Sequence, residues 1–301
     1  MTDTTPKPVL YLGDTALSAA AAYLAGVMHR AGIGFDYCPS DTPIGDDLQA
    51  DQRRLIILSD YPAAQLTPKQ HEEIVNAHRE QGTGLLMLGG WSSYHGQDGH
   101  WHTSPIADLL PVTISDRDDR INHDQAAYLR RVHDHPTAAG LPWDECPPAV
   151  GGYNRFRVKP NHPGVRRVLD VARRGMRRVG EGFQLSSMII DPMLVVADGK
   201  DEQGRVACLA TDAAPHWVGP LVDWGTDNDD APSGAAGAGA GGGRLDRIRR
   251  SRPVWVSRPD TSLRDGSGTG GVAVTAAVAS GSRIVTPSGA RRGWAGRGAR
   301  W

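Results

Sequence analysis

The apolar positions of this chain come in short runs separated by turn residues. VLYL at 9–12, followed by Gly13-Asp14, reads as a buried strand and its turn. Residues 16–31, ALSAAAAYLAGVMHRA, combine strong helix formers with apolar positions on one face, which predicts a helix ended by Gly32 as its C-terminal cap. Ile33 to Tyr37 alternate and predict a second strand. LIIL at 55–58 is continuously apolar, the pattern of a strand buried on both faces. Thr67-Pro68-Lys69-Gln70 combines a capping box with a proline in the first turn, so a helix should run from there to about Glu80, ahead of Gly82. LLML at 85–88 predicts a fourth strand.

Strand, helix, strand, strand, helix, strand is the rhythm of an open, mostly parallel sheet with helices on both faces. Ligands of such sheets bind beyond the carboxyl ends of the strands. Gly13-Asp14, Ser59-Asp60-Tyr61 and Gly89 to His95 should therefore converge at one edge. Further along, SPIADLLPV at 104–112 predicts a short helix running into a strand, and residues 115–140 read as polar and irregular. Residues 150–160 contain a strand. The stretch from Asp191 to Asp212 predicts a hairpin, with apolar runs Met193 to Ala197 and Val206 to Ala210 around a polar turn. Pro215, His216 and Trp217 follow it.

Composition narrows the class. Of 301 residues, 39% are hydrophobic and 22% charged, which suits a globular core. A net charge of −1 gives no support for nucleic acid or an anionic membrane as partner. No apolar run is long enough to span a bilayer, and MTDTTPKPVL lacks the pattern of a secretory signal. Cys38, Cys146 and Cys208 show no CxxC spacing and read as reduced thiols of a cytoplasmic protein. The expected partner is a small-molecule ligand, and the sequence does not indicate an oligomeric state.

From about Thr226 the composition changes. GAAGAGAGGG at 234–243 is low-complexity, and the remainder is rich in Arg, Gly, Ser and Ala with no lysine. A disordered tail, an Arg/Gly-rich nucleic-acid arm and a shift of reading frame near Gly225 all fit this vocabulary. Scattered acidic residues and the lack of an aromatic platform argue against the second. The third is preferred, because out-of-frame GC-rich DNA encodes these residues; an intact frame in several isolates would exclude it. The chain is accordingly divided into a domain at 1–225 and a tail at 226–301.

Four segments carry a resemblance. GLLMLGGWSSYHGQDGHWHTSPIADLLPV (84–112), HPTAAGLPW (135–143), GGYNRFRVKP (151–160) and GRVACLATDAAPHWVGPLVDW (204–224) resemble the putative glutamine amidotransferase family. That family lies in the class I glutamine amidotransferase-like superfamily, near the ThuA-like proteins, and the resemblance covers roughly residues 8 to 225. It implies a flavodoxin-like three-layer α/β/α fold with a mostly parallel sheet. Class I amidotransferases carry a nucleophilic Cys in a Gly-x-Cys-x-Gly elbow, with His and Glu completing the triad. Here Gly90-Trp91-Ser92-Ser93-Tyr94 stands after the corresponding strand, and His216 is followed by Trp217 and Val218. Glutamine hydrolysis by the usual route is not expected.

Ser92 could instead act as nucleophile with His216 as base and Asp212 as its orienter, in the chain order of α/β-hydrolases, or it could serve only as a loop residue. Asp212, His216 and Trp217 have a structural reading too, as cap, backbone-bonded ring and packing residue. Gly89, Gly90, Trp91, Ser93, His95, Asp14, Asp60 and Trp217 are the expected ligand-binding set. Trp91, Tyr94 and Trp101 could stack on a flat polar ligand or seal the core edge. Tyr153, Asn154 and Arg155 offer an anion-binding guanidinium, or only an exposed strand face. No cofactor is expected; a divalent metal, were one held, would fall to His95, His100 and His102, which otherwise read as unrelated histidines of a polar loop.

Overall fold

The computed structural model describes residues 6–141, 143, 147–185, 188–199, 203–213 and 217, without the side chains of 124–126. The first half follows the predicted rhythm: β1 (Val9–Gly13), α1 (Ala22–Arg30), β2 (Phe35–Cys38), β3 (Leu55–Ser59), α2 (Pro68–Glu80) and β4 (Gly84–Leu88). Every residue of β1, β3 and β4 is buried, as their unbroken apolar runs require.

α2 opens on the anticipated capping box. Gln70 N donates to Thr67 Oγ1 at 3.3 Å, and Thr67 N donates to Gln70 Oε1 at 2.8 Å. α1 is shorter than expected: it begins at Ala22 behind Ala21, which makes no side-chain cap, and 17–21 form turns instead. Gly32 closes α1 as predicted. At φ 70° it lets Ile33 N reach Met28 O at 2.9 Å.

The second half contains β5 (Val112–Thr113), β6 (Arg120–Arg131), β7 (Ala149–Asn154), β8 (Arg157–Val158), β9 (Val165–Arg173), β10 (Met176–Val179), β11 (Gly182–Leu185), β12 (Ile189–Ala197) and β13 (Val206–Leu209). The main sheet has nine strands in the order β2-β1-β3-β4-β13-β12-β9-β6-β7. β2, β1, β3, β4 and β13 run parallel; β12, β9, β6 and β7 extend the sheet with antiparallel pairings. The expectation of a mostly parallel sheet thus holds for one half, and the α/β class for the whole. The predicted hairpin is present as β12 and β13, with Val195 opposite Cys208.

β6 departs from the irregular segment expected at 115–140. Ala127 and Leu129 face the core while Tyr128 and Arg130 are exposed. This half-buried alternation is carried by only two apolar residues, too few to stand out in a polar stretch. The pattern reading gives no element to 161–190, where β9 and the β10–β11 hairpin lie. Among the described residues, no helix is long and apolar enough to cross a membrane.

Candidate functional site

Strand order places the site. The connection β1–α1–β2 steps one way across the sheet and β3–α2–β4 steps the other. Right-handed crossovers then put α1 and α2 on opposite faces, and the chain reverses between β1 and β3. At that point both strands end alike, with Asp14 (φ 53°) and Asp60 (φ 52°) in the left-handed region that Asp tolerates better than most residues. Gly13 permits the approach: a methyl there would lie 1.6 Å from Ser59 O, and Asp14 N donates to that oxygen at 2.8 Å.

The loop after β4 is bound to the same point. Asp60 N donates to Ser93 Oγ at 2.8 Å, and Ser92 N donates to Asp60 Oδ1. A methyl on Gly90 would come 2.8 Å from Asp60 Oδ1. Gly89 N donates to Thr211 O at 3.0 Å, which brings the segment after β13, with the buried Asp212, to the same edge.

Three carboxyls therefore share this edge. Asp14 is 3% exposed. Burial pushes its carboxyl up to about 7, and the charges of Asp212 and Asp60 push the same way, against hydrogen bonds from Tyr11 and Ser59 that favour the carboxylate. Tyr11 OH and Ser59 Oγ (3.1 Å) both donate to Asp14 Oδ2, and Tyr37 OH donates to its backbone carbonyl at 3.0 Å. Burial and then the Asp14 charge raise the Tyr37 phenol to about 12 and the Tyr11 phenol well above its ordinary range, so both stay protonated donors.

A second network supports the loop from behind. Asn154 Oδ1 accepts from Gly90 N at 2.8 Å, and Asn154 Nδ2 donates to Asp119 Oδ1 at 2.7 Å. The Asp119 carboxylate also accepts from His95 N and Gly96 N, each at 3.1 Å. Asn154 N donates to Ala210 O at 2.8 Å, so the antiparallel half curls back and brings β7 against the end of β13. Asp119 lies in the stretch expected to be irregular, and no local signal marks it. Asn154 was legible only as a neighbour of Arg155.

The sequence-predicted residues fall into three groups. Asp14, Asp60, Gly89, Gly90, Ser92, Ser93 and Asp212 are brought together. Trp91 lies at the rim, 47% exposed, with the Arg120 guanidinium 4.6 Å from its ring centroid. Trp217 packs over Gly152 of β7 and donates from Nε1 to Asn122 Oδ1 at 3.1 Å, the packing role among its two readings. His216 and Cys146 lie outside the described residues, as does the tail at 226–301.

Where two readings stood open, the structure selects between them. Tyr94 and Trp101 are fully buried and cannot stack on a ligand; Tyr94 OH donates to Met87 O and Leu209 O, and Trp101 Nε1 to Tyr61 O. Arg155 reaches Asp191 at 3.5 Å, so its charge is already paired. A cavity of about 350 Å³ does exist, but Asp134, His135, Arg166, Asp198 and Arg205 line it, at the amino end of β13, away from the carboxyl edge. The edge itself is a tightly bonded cluster with Asp60, Trp91 and Ser92 at its surface.

Neither described cysteine is an activated thiol. Cys208 is fully buried in β13, and burial pushes its thiol up to about 12. Burial also raises that of Cys38, whose Sγ donates to Thr42 O at 3.3 Å.

A parallel α/β core of order 2-1-3-4 continued by a fifth strand is a flavodoxin-like doubly wound arrangement with its switch point between β1 and β3. The family described as "Putative glutamine amidotransferase" matches residues 52–229, more than half of the chain, and the chain belongs to it. Two solved structures from Salmonella typhimurium share the fold. The cytoplasmic protein STM3548 is 23% identical, with a TM-score of 0.55 over 70% of this chain and 89% of that one. The cytoplasmic protein STM1381, of strain LT2, is 22% identical, with a TM-score of 0.55 over 71% and 91%. No curated protein matches the chain.

Proposed function

We propose that the chain binds a small polar metabolite at the carboxyl edge of its parallel strands and hydrolyses it by a route that does not use an elbow cysteine. The supporting observation is the meeting of Asp14, Asp60 and Asp212 at the switch point, with Asp14 held near neutrality. A carboxyl of that kind can hold or release a proton at neutral pH, as general acid–base chemistry requires. Asp60, Trp91 and Ser92 meet the ligand from the rim. Ser92 is the proposed nucleophile, with Asp212 as its orienter and His216, which follows Asp212 in the chain, as its base. Gly89, Gly90 and Ser93 hold the loop in place. A cytoplasmic location is part of this reading, in line with the descriptions of the two Salmonella proteins.

A second reading is a non-catalytic ligand-sensing or protein-interaction module on the same fold. The tight burial of Asp14 and Asp212, at 3% and 1% exposure, favours it.

A panel of glutamine, esters and sugar derivatives separates the two. The hydrolytic reading expects turnover of an ester or sugar derivative, lost by on the order of 100-fold or more in Asp212→Asn, Ser92→Ala and His216→Ala while circular dichroism is unchanged. Ligand-induced thermal stabilisation without turnover would select the binding module. Glutamine hydrolysis by the wild type would overturn the claim that the missing cysteine matters.

A further inference from the structure

We propose that His95, His100 and His102 bind one divalent zinc-type ion through their three imidazoles, at a site separate from the carboxylate cluster and independent of the hydrolytic reading. One nitrogen from each ring can be chosen so that all three lie within 4.8 Å of one another. The His95 ring centroid is 4.5 Å from that of His102 and 5.1 Å from that of His100.

Four observations carry the site. First, His102 buries its Nδ1 with no hydrogen-bond partner among the described residues. A buried polar atom without a partner is costly, and an ion is one of the few groups that can satisfy an imidazole lone pair. His71, His78 and His162, by contrast, each set a ring nitrogen on a backbone carbonyl.

Second, His95 is oriented as a ligand is. Its Nδ1 lies 3.2 Å from Ser115 O, which fixes the proton there and leaves Nε2 as an acceptor for metal. Its backbone N–H is held by Asp119 at 3.1 Å. Third, the loop is built around the three rings. His100 N donates to His95 O at 3.1 Å, joining two of the ligand residues directly, and Trp101 N donates to Tyr94 O at 2.8 Å. Trp101, between His100 and His102, is fully buried and stacks on His71 with ring centroids 5.8 Å apart. A methyl on Gly99 would lie 2.7–2.8 Å from three carbonyl oxygens, so only glycine lets the loop fold this tightly.

Fourth, the electrostatics suit a cation. Asp116 and Asp119 contribute negative potential at the His102 ring. Three imidazoles without a carboxylate cage select zinc, cobalt or nickel over magnesium or calcium. Tetrahedral zinc needs nitrogens at about 2.0–2.1 Å, hence about 3.3 Å apart, so the three rings close in by side-chain rotation, which the exposed His100 permits most freely. Water would fill the fourth position.

The test uses the full chain, stripped with a chelator and titrated with Zn²⁺ by calorimetry and with Co²⁺ by visible absorption. One equivalent per chain, the strong visible bands of four- or five-coordinate Co²⁺, and a rise in Tm with Zn²⁺ are expected. His100→Ala, an exposed position where the fold should survive, should weaken Zn²⁺ binding by on the order of 100-fold. His133→Ala, outside the cluster, should leave it unchanged. Uptake well below one equivalent by the wild type, or equal affinity in wild type and His100→Ala, would overturn the site.

Discussion

Gly89→Ala is expected to destabilise the domain by roughly 3–5 kcal/mol, or to prevent folding, because the new methyl meets a fixed backbone. It would lie 2.0 Å from Ala210 O and 2.8 Å from Asn154 Oδ1. Neither can retreat cheaply. Ala210 N donates to Met193 O and Ala210 O accepts from Asn154 N, while Gly89 N donates to Thr211 O. Asn154 Oδ1 is held by Gly90 N. Any relief must separate β4 from β13 at their ends, where Leu88 and Leu209 are paired and buried. Urea denaturation measures the loss. Gly90→Ala is the informative comparison: its methyl meets the Asp60 side chain, Cβ at 2.9 Å included, at a φ of 159° that L residues rarely adopt, but no carbonyl of a paired strand is among its nearest contacts. It should cost less and act on the loop. Gly45→Ala, with nothing within 4 Å, should change stability by no more than about 0.5 kcal/mol. A Gly89→Ala protein within about 1 kcal/mol of wild type would mean that β4 and β13 do not meet this closely.

The parallel half of the fold is legible because its signals are local. LIIL and LLML announce strands by composition alone, and Thr67 to Gln70 starts a helix by side chains that bond to the adjacent backbone. The antiparallel half is harder to read. β6 has a polar sequence, and what makes it a strand is pairing with β7 and β9, whose partner residues lie 21 to 44 positions away. A strand stabilised by partners rather than by its own apolar run leaves little trace in a window of ten residues.

The site divides in the same way. Asp14, Asp60 and Ser92 were found because strand ends in a parallel sheet mark an edge before any contact is known. Asp119 and Asn154 were not assigned their role, since the bond between them spans 35 residues and depends on the sheet curling back on itself. Tyr94 and Trp101 carry two readings in the sequence, and the structure takes the second, a seal of the core edge. Aromatic residues in a polar loop resemble a stacking platform, but here they turn inward and anchor the loop through Met87 O, Leu209 O and Tyr61 O. The histidine spacing was visible; that the three rings meet depends on Trp101 being buried between two of them.

Asp14→Asn is expected to make the protein more stable above neutrality and to leave it unchanged in acid. The folded carboxyl titrates near 7 and an ordinary one near 3.8, burial being the main cause. Below about pH 4 both states are protonated and Asp14 costs nothing. Between about pH 4 and 7 the unfolded chain gives up this proton while the folded chain keeps it, so wild-type stability falls as pH rises, by about 1.4 kcal/mol per pH unit at most. Above 7 the folded chain carries the buried charge and the full penalty, on the order of 4 kcal/mol as an upper bound. An asparagine side chain still accepts from Tyr11 and Ser59 through its oxygen but removes the charge beside Asp212 and Asp60. Urea denaturation at pH 4, 6 and 8 should show the two proteins together at the lowest value and the variant ahead at the highest. Parallel curves would mean that Asp14 is ionised throughout, leaving no proton to exchange at neutrality. If the carboxyl does serve a hydrolytic site, the same substitution lowers turnover while raising stability, the opposition expected where a fold keeps a costly group for its chemistry.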